Sequence, residues 1–169
     1  MWAVIAFGLC QPTLASDMFE TTASVSMVSP LQITSAAPME FGVVTIPKAG
    51  QCGYTLAPDG SLLASGGSDC AALSGTPMPA EFSVSCAPST QVRFDLSYTN
   101  TAPSGASFGA GISPMDIDGQ GAGGVVQILP CDTDGLTEVS VGGLLTVTPA
   151  VGTDFTGEIG TIRLEIIYD

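Results

Sequence analysis

The sequence predicts a single all-β domain, an antiparallel sandwich of about seven to nine short strands. Apolar and polar residues alternate with period two in window after window, and turn-forming Gly and Pro separate those windows. No window carries the 3.6-residue period of an amphipathic helix. At 169 residues one domain is expected, and a domain near this size buries about 70% of its unfolded surface, enough for a substantial core. The apolar content of 45% argues against disorder.

Taken along the chain, residues 22–33 and 39–46 are β-prone runs of small, β-branched and apolar side chains. Residues 81–86 alternate and set Cys86 on the face of Phe82 and Val84. Residues 91–99 alternate most clearly, with Val92, Phe94, Leu96 and Tyr98 on one side and Arg93, Asp95, Ser97 and Thr99 on the other. Residues 97–124, rich in Gly, Ala and Ser, read as the loosest part and as the place of a long loop. Strands are expected again at 124–129 and 138–147. The last is 161–168, where Ile162, Leu164, Ile166 and Tyr168 oppose Thr161, Arg163, Glu165 and Ile167. Turns fall at Pro103-Ser104-Gly105, Asp118-Gly119, Asp134-Gly135 and Gly142-Gly143, where Gly supplies the positive φ that such turns need.

Charge excludes several functions. Charged residues make up 11% of the chain, against about 25% in an average globular protein, and the net charge is −13. The cations are Lys48, Arg93 and Arg163, and there is no His. Binding to nucleic acid or to anionic lipid needs several Lys or Arg, so neither partner is expected. The lack of His removes the commonest general base and zinc ligand, and with it any Ser/His/Asp or Cys/His arrangement. Ser/Lys catalysis would have to use Lys48, after Pro47 at a strand end. Paired carboxylates suffice for glycoside hydrolysis, but nothing selects a pair and few aromatics remain to form a sugar platform. Gly121-Ala122-Gly123-Gly124 lacks the Lys and the strand-to-helix context of a phosphate loop. No enzyme and no cofactor are expected.

Residues 2–10 form a short apolar run followed by Gln11-Pro12-Thr13-Leu14-Ala15, with small residues at the end of the segment, the pattern of a secretory signal. The run is too short to span a bilayer, which takes about 20 apolar residues, so stable membrane insertion is not expected. The expected organisation is a signal over 1–15, an N-terminal extension or first strand over 16–28, and the sandwich over 29–169. Cleavage after Ala15 removes Cys10 and leaves Cys52, Cys70, Cys86 and Cys131, an even number in an exported chain. Three pairings are possible. Cys52–Cys70 with Cys86–Cys131 is favoured, because the first pair closes a local loop of turn residues. Zinc is disfavoured by spacings far from CxxC.

Two Asp-x-Asp-Gly stretches supply weak calcium candidates: Asp116 and Asp118, then Asp132 and Asp134. Clustered carboxylates on a Gly turn make a partial cage, but neither stretch has the third acid and the downstream Glu of an EF-hand loop. No metal site is therefore assigned. The chain ends are more informative. Residues 21–28 place Val25 and Met27 on one face, and the alternation of 161–168 runs to Tyr168. An exposed sheet edge can be completed by a strand of another chain, so Val25, Met27, Ile162, Leu164, Ile166 and Tyr168 are the candidate assembly residues.

The order of these features resembles a family of bacterial secreted proteins known as domain of unknown function 4402. It is more broadly similar to chaperone–usher pilins and spore-coat-U-like subunits. The resemblance is carried by VSPLQIT (28–34), MEFGVVTIP (39–47) with Phe41-Gly42, AEFSVSC (80–86), VSVGGLLTV (139–147) and TGEIGTIRLEIIYD (156–169). It implies an immunoglobulin-like, pilin-like sandwich, exported and displayed at the surface of a Gram-negative cell, with no catalytic residue. It further implies other copies or related subunits as partners, and a periplasmic chaperone in transit. The expectation is a structural subunit of a pilus-like fibre or surface layer that self-associates through terminal strands. The alternative is a monomeric secreted module that binds a glycan or calcium through the 97–135 loops.

Overall fold

In a computed structural model of the chain, which describes Thr22, Ser24, Val25, Met27 and residues 29–152 and 154–169, alternation in sequence becomes alternate burial. The expected signal over 1–15, with Cys10, and most of the 16–28 extension lie outside the described residues. The fold is all-β. Among the described residues there are thirteen strands, every pairing between them is antiparallel, and the one helical turn is a short 3-10 segment, Pro149–Val151.

In chain order the strands are β1 (Gln32–Ala37), β2 (Val43–Val44), β3 (Cys52–Leu56), β4 (Leu62–Ser65), β5 (Ala72–Ser74), β6 (Ala80–Ser85) and β7 (Gln91–Asn100). Then follow β8 (Ala106–Gly109), β9 (Met115–Ile117), β10 (Val126–Pro130), β11 (Leu136–Val141), β12 (Gly143–Val147) and β13 (Gly160–Tyr168). They form a four-stranded sheet ordered β1-β6-β11-β9, a three-stranded sheet β10-β7-β13, a second four-stranded sheet β4-β3-β12-β8, and the small pair β2-β5.

The first two sheets share one core. Phe82 and Val84 of β6, Val139 and Val141 of β11, and Met115 and Ile117 of β9 meet Val92, Phe94 and Leu96 of β7 and Leu164 of β13. Each fully buried side chain of this kind contributes about 1.5–3 kcal/mol. The Cys86–Cys131 disulfide, with both half-cystines buried, ties the segment after β6 to the segment after β10. A second core gathers Phe41, Tyr54, Leu56, Phe108, Leu145 and Val147, and the Cys52–Cys70 disulfide closes its outer loop with a Cα–Cα distance of 5.4 Å. The Tyr54 hydroxyl donates to the Thr45 carbonyl at 2.7 Å, so the buried phenol is satisfied.

Several expectations are corrected. The strand count exceeds seven to nine because a third sheet and a two-stranded pair form from short segments. The 97–124 region is not one long loop: it holds the end of β7 together with β8 and β9, which gain their partners in β12 and β11. The strand expected over 22–33 is confined to β1, and no strand is assigned to the described residues of 22–31. The strand expected over 138–147 is two, divided at Gly142, where the chain passes from the first sheet to the third. A Cβ at Gly142 would collide with the Leu56 carbonyl, so the close approach there requires glycine.

Candidate functional site: an apolar groove between two unpaired sheet edges

Strand β13 forms nine register pairs with β7, from Gly160↔Asn100 to Tyr168↔Val92, and among the described residues it is hydrogen-bonded to no other strand. It is the outer strand of its sheet. Strand β1 is likewise the outer strand of its sheet, and among the described residues it pairs with β6 alone. Beside one end of each edge lies a groove of about 1480 Å³, lined by Ala36 and Ala37 at the end of β1, by Gly160, Thr161 and Ile162 at the start of β13, and by the segments 38–46 and 154–159. Its apolar lining includes Phe41, Phe82, Phe108, Leu145, Val147 and Ile162, and its acidic groups are Glu40, Asp154 and Glu158.

Phe108 organises the groove. Its ring meets Phe41 edge-on at 6.2 Å and Tyr98 at 5.5 Å, separations at which edge-to-face pairs are favourable. Gly160 admits it, since a Cβ there would collide with the Phe108 ring and the Thr99 carbonyl. The Tyr98 hydroxyl donates to the Gly142 carbonyl at 2.6 Å, and burial pushes its phenol well above the ordinary value. At the other end of β13, the Tyr168 hydroxyl accepts from the Ala87 amide at 2.8 Å and donates to the Ser29 carbonyl at 2.8 Å.

The candidate assembly residues divide into two sets. Val25 and Met27 are 77% and 86% exposed, which is unusual for apolar side chains ahead of a strand. Leu164 is 7% exposed, and Ile162, Ile166 and Tyr168 are half-buried against the core. The side chains expected as contacts on β13 therefore face inward. Its exposed face carries Thr161, Arg163, Glu165 and Ile167, and what remains available is the backbone edge. Phe41 entered the sequence reading only as part of the Phe41-Gly42 pair, and Phe108 was not singled out. The available signal was Phe108 as the lone aromatic between Asn100 and Phe155.

The acids of the Asp-Gly turns are occupied locally. Asp116 accepts from the Gly121 amide, Asp118 from Glu138 at 2.7 Å, Asp132 from Thr133 at 2.6 Å and Asp134 from Leu136 at 2.9 Å. This is the hydrogen bonding of turns and caps. Asp118 and Asp132 are brought together beside a shallow pocket of about 300 Å³. Burial, and then the negative charges of Asp132 and Glu138, raise the Asp118 carboxyl above its ordinary value, against the pull of the Glu138 amide. Among the described residues no group of three or more His, Cys, Asp or Glu is placed to hold a metal ion. No helix among them is long and apolar enough to cross a membrane, and two disulfides fit a compartment that sustains them.

Comparison with known proteins gives no relative to lean on: neither the curated proteins nor the solved structures contain a match. One family does match, described only as a domain of unknown function, and it covers residues 31–168, from the residue before β1 to the end of β13. The chain belongs to the domain of unknown function 4402 family.

Proposed function

We propose that this chain is a non-catalytic, exported surface protein, a structural subunit of a pilus-like fibre or surface layer that self-associates through its terminal β-strands. The single observation that carries the reading is the pair of outer strands, β1 and β13, whose outer edges no other described strand covers and which adjoin one apolar groove at one end of each. An immunoglobulin-like sandwich orders its strands ABED in one sheet and CFG in the other. We read the sheet β1-β6-β11-β9 as ABED and β7-β13 as CF, with β10 on the far side of β7. On that reading no described strand takes the place of strand G, beside β13. A strand added there gains main-chain hydrogen bonds along its length and places alternate side chains in the groove. Val25 and Met27, two residues apart and exposed, suit that role.

Edge Lys is a common guard against strand addition, and β13 carries none. The charge of −13 opposes contact between copies, as do the groove's Glu40, Asp154 and Glu158. Salt screens this repulsion over about 10 Å at 0.1 M, so assembly strengthens with salt. The test is an unboiled, non-reducing gel of the purified chain across a salt series, beside Val25→Asp/Met27→Asp. A heat-sensitive ladder that grows with salt, reduced to one band in the double variant at unchanged thermal stability, is expected. A single band at every salt concentration, or a ladder undiminished by the two substitutions, would sink the proposal.

A further inference from the structure

The outer face of the sheet β10-β7-β13 differs in charge from the rest of the surface. Register sets Ile128, Arg93 and Ile167 in one row across it, and Val126, Asp95 and Glu165 in the next. Their chain neighbours Phe94, Leu129 and Ile166 pack on the core, so both rows face outward. Val126, Ile128 and Ile167 are 44%, 46% and 49% exposed. Arg93 pairs with Asp95 at 3.0 Å, and Arg163, one row further, with Glu165 at 3.6 Å. Two arginines cancel two acids here; the other fourteen acids, set against Lys48, make up the whole net charge of −13. We infer that this face binds the same face of a second copy of the chain, sheet on sheet. The contact goes beyond strand addition, because it uses a face and leaves the outer edge of β13 untouched.

The pattern is self-complementary. In a two-fold contact, wherever one residue meets another, the second also meets the first. With the axis across the strands, between the Arg93 row and the Asp95 row, each Arg93 faces Asp95 of the second copy and each Ile128 faces Val126. Ile167 lies over Glu165, whose charge Arg163 of the same strand already holds. Arg93 has donors to spare. Its guanidinium carries five N–H groups, one of which is given to Asp95, and its Nε has no hydrogen-bond partner among the described residues. The other outer faces fit less well. That of β1-β6-β11-β9 carries Glu81, Asp116 and Glu138 and no cation, so two copies repel there. That of β4-β3-β12-β8 sets Gly53, Thr55, Ser65 and Thr146 around Leu63, with no charge pair to fix a register. Three strands about 4.8 Å apart and nine residues at about 3.3 Å each give about 400 Å² per copy, half the roughly 800 Å² of a standard interface. The contact is therefore weak between free monomers and adds up where many copies are held side by side.

The test is sedimentation equilibrium of the full chain, up to about 1 mM protein in about 0.15 M salt, where charges are screened beyond about 8 Å. Wild type, Arg93→Glu, Asp95→Lys and an equimolar mixture of the two variants are compared. Each variant alone sets like charges across the axis twice, and the mixture restores opposite charges at both places. Reversible wild-type dimers are expected, weakened at least about tenfold in each variant and recovered to within about threefold in the mixture, the scale of close interfacial charge pairs. No wild-type association at the highest concentration overturns the inference. So do variants that associate like the wild type, or a mixture no tighter than its components. Should either variant not fold, Ile128→Glu decides: it sets a carboxylate against Val126 of the second copy, and undiminished association overturns the inference. Detergent dissolves a face contact, so the ladder on an unboiled gel reports strand addition alone. A missing ladder beside these reversible dimers therefore removes the strand reading and leaves the face contact standing.

Discussion

Strands β7 and β13 lie side by side in register and carry the same alternation, yet their burial differs. Val92, Phe94 and Leu96 of β7 are buried, Phe94 completely. Their partners on β13, in the order Tyr168, Ile166 and Leu164, include one fully buried side chain, Leu164, and two that are half-buried. The cause is the neighbour count. Among the described residues β7 has β10 on one side and β13 on the other, whereas β13 has β7 alone. Alternation reports which face of a strand points inward. It carries no information on whether both edges are covered.

A third edge shows what a closed one looks like. β9 ends the first sheet, but its outer side is bridged by Gly123, whose amide donates to the Met115 carbonyl at 2.7 Å, and the Gln127 side chain donates to the same carbonyl at 2.8 Å. Short strands and covered backbone are ordinary protection against strand addition. β13 is nine residues long, and no described strand covers its outer edge.

The largest effect expected from this contrast is at Phe94. Phe94→Ala removes a fully buried ring and costs about 3–5 kcal/mol, whereas Ile162→Ala at the groove costs about 1–2 kcal/mol in monomers because the side chain is only half-buried. Urea denaturation of monomers measures both. If assembly covers the groove, the Ile162→Ala penalty grows in the polymer while that of Phe94→Ala does not. Equal costs in monomers would erase the distinction between the two strands.

Next is Tyr98, which pairs with Ile162 in register and bonds the Gly142 carbonyl where the chain changes sheets. Tyr98→Phe is expected to cost about 1–2 kcal/mol, since a buried carbonyl loses its partner. The folded phenol is raised above its ordinary value of 10. Its contribution is therefore fully present below pH 10 and declines as pH rises through the range above it. Thermal melts between pH 8 and about 11 should show a wild-type decline that Tyr98→Phe lacks. Parallel declines would place the alkaline loss elsewhere.

The sequence made β6, β7 and β13 legible because each alternates for six residues or more with large side chains on one face. It hid β3, where Cys52, Tyr54 and Leu56 alternate with Gly53 and Thr55 over only five residues inside a segment read as a disulfide loop. It hid β8 and β9 too, since strands of four and three residues are fixed by their partners in β12 and β11 and by little of their own propensity. The exposed Val25 and Met27 were readable as an apolar face without a core. The groove was not, because it depends on β1 and β13 becoming opposed edges, a relation between segments more than a hundred residues apart.

The smallest effect tests the protected edge from the charge side. Asp118 closes the turn after β9 by accepting the Glu138 amide, with a positive φ of 52°. Asparagine tolerates that conformation and keeps a carbonyl acceptor. Its raised carboxyl means that the folded state prefers the neutral form, so ionisation costs stability as pH rises from the ordinary value of 3.8 upward. Asp118→Asn should therefore stabilise the monomer at pH 7 by about 0.5 kcal/mol or less, the scale of an exposed charge interaction, and the gain should fade on acidification toward the ordinary carboxylate value. Assembly should respond little, because this edge is already bridged by Gly123 and Gln127. A ladder that changed as much as in Val25→Asp/Met27→Asp would show that copies meet at β9, and would turn the contrast with β13 around.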